Sequence, residues 1–454
     1  MTKKLFFTLM LLSLVFRTTG QDFTGDWYGR FKSPISVFTM GIHISEQDSI
    51  YTATMTSIDQ NDKAIPCDTV MIDHDKITLT IHKLNITYTG ILDTNHRIKG
   101  IFSQHGGNFT LNLTREKLEK FARPQDPIKP YTYQEEEVVF KNNIDDIQLA
   151  GTLTMPLQGT SFPAVVLISG SGAQNRDEEM LSHRPFLVLA DHLTRNGIAV
   201  LRFDDRGIAA SEGDFATAIT TDFAKDVEAA IQYLLTRKEI NPNQIGLIGH
   251  SEGGTIAPIV AARNPQVAFI VLLAAPGYSG YTTVLDQVLA LNQGNSKIKE
   301  IKKQQIEFLD IINNSIIKTS DDHQKLEQDL IRYFKKIGKS DPEIKATLPT
   351  VLAPWYSFYI KFDPTSTLKQ VKCPVLVLNG SKDKQVISPK NLLAVEKKIK
   401  KGGNKQVTAI ELPGLNHLFQ ECSLGYHTEY FHINQTFSPI ALEEISKWII
   451  NQGK

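Results

Sequence analysis

The stretch Ile245-Gly246-Leu247-Ile248-Gly249-His250-Ser251-Glu252-Gly253-Gly254 leaves few options for the chain that contains it. An apolar run leads straight into Gly249-His250-Ser251-Glu252-Gly253, and a helix-compatible segment, 252–262, leads straight out. A strand that passes into a helix through Gly-x-Ser-x-Gly needs Ser251 on a sharp, strained bend with its Oγ exposed, the geometry of a nucleophile elbow. Glycines at 249 and 253 remove side chains that would collide with the neighbouring backbone. The first amides of the helix then aim partial positive charge at any negative charge that develops beside Ser251. The plainer alternative is a glycine-rich turn of a doubly wound sheet with an incidental serine.

The surrounding pattern fits such a sheet. Apolar runs at 164–169, 198–203, 245–249, 269–274, 375–379 and 407–412 alternate with helical stretches at 181–195, 220–236, 252–262, 389–400 and 439–451. Continuous apolar strands between helices predict a parallel sheet covered on both faces. Residues 136–140 and 147–154 read as a strand pair across Asn142-Asn143. The interval 279–368 breaks the alternation: it carries helical patterns at 283–291, 298–317 and 323–336 and no convincing strand. It reads as a helical cap insertion over the C-terminal edge of the sheet, with a separate helical appendage as the alternative.

A chain of 454 residues has room for more than one domain. Residues 22–115 follow a different grammar. Short segments rich in Ile, Val, Thr, Phe and Tyr (36–44, 51–57, 76–82, 86–91, 98–103 and 109–114) are punctuated by Asp73-His74-Asp75, Asp93-Thr94-Asn95 and His105-Gly106-Gly107. This predicts a small all-β, barrel-like or sandwich domain. Residues 116–130, with repeated proline at 124, 127 and 130, read as a linker to a second domain, 131–454. Residues 1–20 have a basic head (Lys3, Lys4), an apolar run from Leu5 to Phe16 and small residues before Gln21. That is the layout of a secretory signal peptide, and the run falls short of the roughly 20 apolar residues a membrane span needs. Export to a periplasmic or extracellular space is expected, without a stable membrane anchor.

Equal numbers of acidic and basic residues, 49 each, imply no nucleic-acid partner. Cys67, Cys373 and Cys422 are too few and too far apart for a disulfide scaffold, although one bridge is possible. No spacing resembles a metal site, and the expected chemistry needs no cofactor.

A serine is a weak nucleophile without an adjacent base. In a sheet of this kind the chain order is Ser, then Asp or Glu, then His. The last apolar run leads into Pro413-Gly414-Leu415-Asn416-His417, which puts His417 on a loop just beyond a strand end. His427 and His432 lack such a strand, and His250 is wrongly directed to act as base. The preceding run ends in Asn379-Gly380-Ser381-Lys382-Asp383, which offers Asp383 as the orienting acid. Two backbone N–H groups should form the oxyanion hole: that of Glu252, and one from Ser169-Gly170-Ser171-Gly172-Ala173, where Ser171 is the choice. Arg176-Asp177-Glu178 and Arg202-Phe203-Asp204-Asp205-Arg206 are expected to brace these loops through ion pairs.

Ser169-Gly170-Ser171-Gly172-Ala173-Gln174-Asn175-Arg176-Asp177, Arg202-Phe203-Asp204-Asp205-Arg206-Gly207 and Gly249-His250-Ser251-Glu252-Gly253-Gly254, in this order, resemble bacterial α/β-hydrolases of the serine aminopeptidase-like branch. The resemblance covers roughly residues 131–454 and is closest to two-domain carboxylesterases with an N-terminal β domain. It implies an α/β-hydrolase fold and hydrolysis of small carboxylic esters, with Ser251, Asp383 and His417 at the family's nucleophile, acid and base positions. One departure is Ala173, where relatives often carry proline. Two other functions remain open: a serine exopeptidase, for which Glu252 or Glu178 could receive a substrate amine, and a ligand-binding role centred on the β domain. Tyr278, Tyr281, Trp355, Tyr356, Phe358 and Tyr359, at the ends of the insertion, either line an acyl pocket or pack the cap.

Overall fold

Alternation of inward and outward side chains builds the N-terminal half. The computed structural model describes residues 22–33, 37–58, 64–104, 107–118, 123–315 and 319–452. The segment read as a signal peptide, 1–20, lies outside them. The chain divides into two compact units near residue 120. In the first, β1 (Gly25–Lys32), β2 (Val37–Gln47), β3 (Ile50–Ser57) and β4 (Ile65–Pro66) form one antiparallel sheet. A second is formed by β5 (Thr69–Asp73), β6 (Lys76–Ile81), β7 (Ile86–Leu92), β8 (Ile98–Gln104) and β9 (Gly107–Thr110). Trp27, Phe31, Ile42, Met55, Leu79 and Phe102 come from both sheets and share one core. At one side Cys67 N–H donates to the Ala53 carbonyl and Asp68 N–H to that of Thr80. At the other, Tyr28 pairs with Thr114 and Ile98 with Leu113. These stitches occupy strand rims that would otherwise invite pairing with other chains, and they make the unit barrel-like. The strands β1 and β5 do not stand out in the sequence, where Gly25, Asp26 and Gly29 interrupt the apolar alternation of β1.

The second unit begins inside the stretch expected to be a linker. Residues 119–122 lie outside the described residues, but Arg123 is buried and its guanidinium donates to the carbonyls of Leu181, Phe431 and Ile433 at 2.8–3.1 Å. Gln125 Oε1 accepts the N–H groups of Thr436 and Phe437. Two polar side chains thus knit this proline-rich segment to the unit that follows.

The elements then run β10 (Tyr133–Asn142), β11 (Ile147–Pro156), β12 (Phe162–Ile168), α1 (Pro185–Arg195), β13 (Ala199–Phe203), α2 (Thr220–Leu235), β14 (Ile240–His250), α3 (Gly253–Arg263) and β15 (Phe269–Leu273). Six helices follow: α4 (Gly280–Leu291), α5 (Ile298–Asn314), α6 (Ser320–Lys336), α7 (Asp341–Leu352), α8 (Pro354–Lys361) and α9 (Thr365–Gln370). The chain closes with β16 (Val375–Gly380), α10 (Lys390–Lys401), β17 (Val407–Leu412) and α11 (Pro439–Gln452). The sheet order is β10-β11-β13-β12-β14-β15-β16-β17, antiparallel through the β10–β11–β13 pairs and parallel beyond them. Every residue of β13, β15 and β16 is buried, as a parallel sheet covered on both faces requires. Helices α2, α3 and α10 pack into the core on one face, and α1 and α11 into the core on the other.

Helix α1 starts at Pro185, later than the periodicity alone suggests. Leu181 and Ser182 both take positive φ in a turn closed by Met180 and His183, and Pro185 occupies the first helical position, where its missing N–H costs nothing. The insertion carries its own core of Phe308, Leu309, Ile312, Leu330 and Phe334. Prolines at 342, 349 and 354 obscure α7 and α8 in the sequence, yet Pro342 and Pro354 lie in the first turn of each. Gly280 N–H donates to the Phe362 carbonyl and so ties the two ends of the insertion together, while Trp355 on α8 bonds Glu252 at the start of α3 and joins the insertion to the sheet's helices.

Candidate active site

Strand β14 and helix α3 meet at Ser251, whose φ of 53° lies in the left-handed region that a serine adopts only under constraint. The constraint is visible in the flanking glycines. A Cβ on Gly249 would stand 2.0 Å from the Gly253 carbonyl oxygen, and one on Gly253 would stand 2.1 Å from that of Ile168. No side chain fits at either place, so the bend depends on both. Ser251 N–H donates to the Leu273 carbonyl at 2.8 Å, tying the bend to β15.

His417 sits beyond β17 on a loop held by Asn416, whose Oδ1 accepts the N–H groups of Leu418 and Gln420. Its Nε2 lies 3.1 Å from Ser251 Oγ and its Nδ1 2.8 Å from Asp383 Oδ2. Asp383 follows β16, is buried, and uses Oδ1 to accept the N–H groups of Gln385 and Val386 at 2.7 and 2.9 Å. Donation from Nδ1–H to the carboxylate leaves Nε2 as the lone-pair nitrogen facing the serine hydroxyl. The three residues singled out in the sequence, 166 and 34 positions apart in their two bonds, therefore form one hydrogen-bonded chain. His427 and His432 are exposed at the two ends of a 3₁₀ segment and take no part in that chain.

Gly170, after β12, packs against the elbow: a Cβ there would be 3.2 Å from both Ser251 Cβ and Glu178 Oε1. Glu178 closes this loop by accepting Gly170 N–H at 2.6 Å. The backbone N–H groups of Ser171 and Glu252 have no acceptor among the described residues, as a pair of oxyanion donors requires.

Buried charge surrounds these loops. Arg176 pairs with Asp204 at 2.7 Å and with Glu137, Arg202 with Asp177, and Arg206 with Asp226 and Asp145 at 2.7 and 2.9 Å. Asp205 accepts from Ser169 Oγ and Gln174 N–H, yet burial pushes its carboxyl up to about 8. Burial also raises Glu252, against the pull of donors from Thr220 Oγ1 and Trp355 Nε1, each at 2.7 Å. Glu178 and Trp355 stand out in the sequence, but their partners do not. Glu178 binds His250 as well as Gly170, and Trp355 reaches Glu252 across 103 residues. Their charged and aromatic character was visible, but no local spacing marks the partner.

Among the described residues the cysteines are free thiols, and no cluster of three or more His, Cys, Asp or Glu side chains is placed to hold a metal. No helix among them is long and apolar enough to cross a membrane.

The sheet order, the strained serine after β14 and the histidine and aspartate after β17 and β16 define an α/β-hydrolase. Residues 182–421, which include Ser251, Asp383 and His417, match the family described as "Serine aminopeptidase, S33", and the chain belongs to it. It is similar to esterase EstD of Thermotoga maritima, with 23% identity over 378 residues, 82% of this chain and 78% of the relative. It is also similar to a monoglyceride lipase homolog of Monkeypox virus, with 28% identity over 162 residues, 35% of this chain and 56% of the relative. Among solved structures, Est1E of Butyrivibrio proteoclasticus with bound ferulic acid aligns with 17% identity and a TM-score of 0.43, over 69% of this chain and 98% of that one.

Proposed function

We propose that the protein is a carboxylic ester hydrolase that works through an acyl-enzyme on Ser251. The observation that carries the reading is the unbroken hydrogen-bonded chain Ser251–His417–Asp383 at a strained elbow. Ser251 Oγ attacks the ester carbonyl as His417 Nε2 takes its proton. Asp383 holds the imidazole in the productive tautomer and stabilises the imidazolium that forms. The N–H groups of Glu252 and Ser171 receive the oxyanion, and a donor of this kind is worth about 10²–10³ in kcat. His417 returns the proton to the departing alkoxide, then activates water to release the acid. The similarity to esterase EstD over most of both chains supports an ester substrate. Glu252 and Glu178, the carboxylates an exopeptidase could turn toward a substrate amine, are both buried and already bonded, to Thr220 and Trp355 and to Gly170 and His250. Short to medium acyl groups are the proposed range.

Wild type and Ser251→Ala, assayed on p-nitrophenyl acetate and octanoate beside aminoacyl p-nitroanilides, test the reading. Ester turnover should fall in the variant by about five to six orders of magnitude. Unchanged ester turnover in the variant would remove Ser251 from the reaction, and a wild-type preference for the anilides would make the protein a peptidase. Export, suggested by residues 1–20, would be seen as a mature N-terminus near Gln21 in the secreted protein.

A further inference from the structure

Three loops converge on the imidazole of His250, the residue before the proposed nucleophile. The ring is buried, with Nδ1 2.8 Å from Glu178 Oε1 and Nε2 2.9 Å from the backbone carbonyl oxygen of His417. A carbonyl oxygen can only accept, so Nε2 carries a proton. On the other side, Glu178 Oε1 already accepts Gly170 N–H at 2.6 Å. An ionised carboxylate oxygen accepts two such bonds well, whereas the hydroxyl oxygen of a protonated acid is a far weaker acceptor. Nδ1 therefore carries a proton too.

We propose that His250 is held as an imidazolium paired with Glu178, and that in this state it is the positioning residue that fixes the oxyanion loop and the base loop to the nucleophile elbow. The proposal rests on the reading of Ser251 as nucleophile. A neutral imidazole has one N–H and can serve only one of the two acceptors. Loss of the bond to Glu178 would loosen the Gly170-Ser171 backbone; loss of the bond to the carbonyl would free the main chain of His417. Burial opposes the charged form of His250, but the charge and hydrogen bond of Glu178, with the His417 carbonyl and Asp383, together outweigh it and raise its pKa overall.

The charged and titratable groups around the ring come from every adjoining element. Glu178 faces it from the oxyanion loop. His417 lies with its ring centre 4.8 Å away on the base loop, and Asp383 acts from behind that histidine. Glu252, on the same elbow, is turned to Thr220 and Trp355, and Asp205 interacts with Glu178 from the loop after β13.

The test combines ¹⁵N NMR of histidine-labelled full-length protein with the pH dependence of kcat and KM on p-nitrophenyl acetate. His250→Gln identifies the His250 signals by their loss. In wild type both His250 ring nitrogens should stay in the protonated range from about pH 5 to about pH 8, where an ordinary histidine titrates. Glu178→Gln keeps an oxygen for Gly170 N–H and His250 Nδ1–H but removes the counter-charge. The proton affinity of His250 then falls, because burial is opposed only by the His417 carbonyl and Asp383. As pH rises through that lowered value the ring becomes neutral and drops one acceptor. The ratio of variant to wild-type kcat should therefore decline with rising pH, toward about 100-fold, the loss expected of a misplacement near 1 Å. KM should change little. An unprotonated ring nitrogen in wild-type His250, or a variant-to-wild-type ratio that is flat with pH, would overturn the proposal. The NMR result stands even if Glu178→Gln fails to fold. It is also independent of turnover, so a failure of Ser251 as nucleophile would be seen separately, in Ser251→Ala.

Discussion

The barrel and the α/β-hydrolase unit bury different kinds of side chain. Among the described residues the barrel buries no charged side chain, and its core is Trp27, Phe31, Tyr88, Phe102 and aliphatic residues. The hydrolase unit buries Glu178, Arg202, Asp204, Asp205, Asp226, His250, Glu252, Asp383 and His417. Removing an ion from water costs several kcal/mol unless a partner offsets it, so ionisable groups are buried only where geometry supplies partners. In the hydrolase unit most of these groups lie on the turns that leave β12, β13, β14, β16 and β17, around Ser251. The barrel's interior is held by apolar packing, whereas that edge of the sheet is lined with preorganised donors, acceptors and charge.

If the contrast is sound, polar and apolar deletions should have effects of different kinds. The largest is expected for Asp383→Asn, which leaves the shape of the site intact but holds His417 in the wrong tautomer. The kcat for p-nitrophenyl acetate should fall by about 10⁴ with little change in thermal midpoint. A loss below tenfold would mean that another group orients His417. Next, Trp27→Ala should cost the barrel about 3–5 kcal/mol by denaturant titration, because the indole fills the core and its N–H is bonded to the Phe23 carbonyl. Turnover per folded molecule, counted by labelling with a fluorophosphonate, should stay within about twofold. A kcat that collapsed together with stability would give the barrel a part in the chemistry and erase the contrast.

The smallest effect is a pH dependence. The Asp205 carboxyl is raised from 3.8 to about 8 by burial, so the folded state holds a proton that the unfolded state has already released. The corresponding stability is fully present below about pH 4 and is lost as pH rises toward about 8. Asp205→Asn imitates the protonated form, with Nδ2 donating to Ser169 Oγ and Oδ1 accepting from Gln174 N–H. The wild-type thermal midpoint should drop relative to that of the variant across this window, and a constant difference would show that Asp205 is ionised throughout.

The proposed triad was legible because each member is bound to a local backbone event. Ser251 needs two glycines and a strand-to-helix bend, Asp383 and His417 each follow an apolar strand, and their chain order is set by the fold. The rest was harder to read where the local signal is weak or ambiguous. Strand β1 is broken by glycines, α7 and α8 begin with prolines that also read as breakers, and residues 123–130 look like a solvated tether until Arg123 meets carbonyls some 310 positions away.

Periodicity and punctuation act through steric and hydrophobic terms that repeat along the chain. They sufficed to assign an all-β first domain, an α/β second domain with a helical insertion, and three residues just past the ends of β14, β16 and β17. The state and partners of the buried polar groups are another matter. Whether Glu178 is a surface charge or the counter-ion of His250, and whether Glu252 awaits a substrate or is held by Trp355, depends on which groups share a desolvated space. Pairs separated by 72 and 103 residues meet only after the sheet and the insertion have packed, and only then does the loss of water make each partner indispensable to the other.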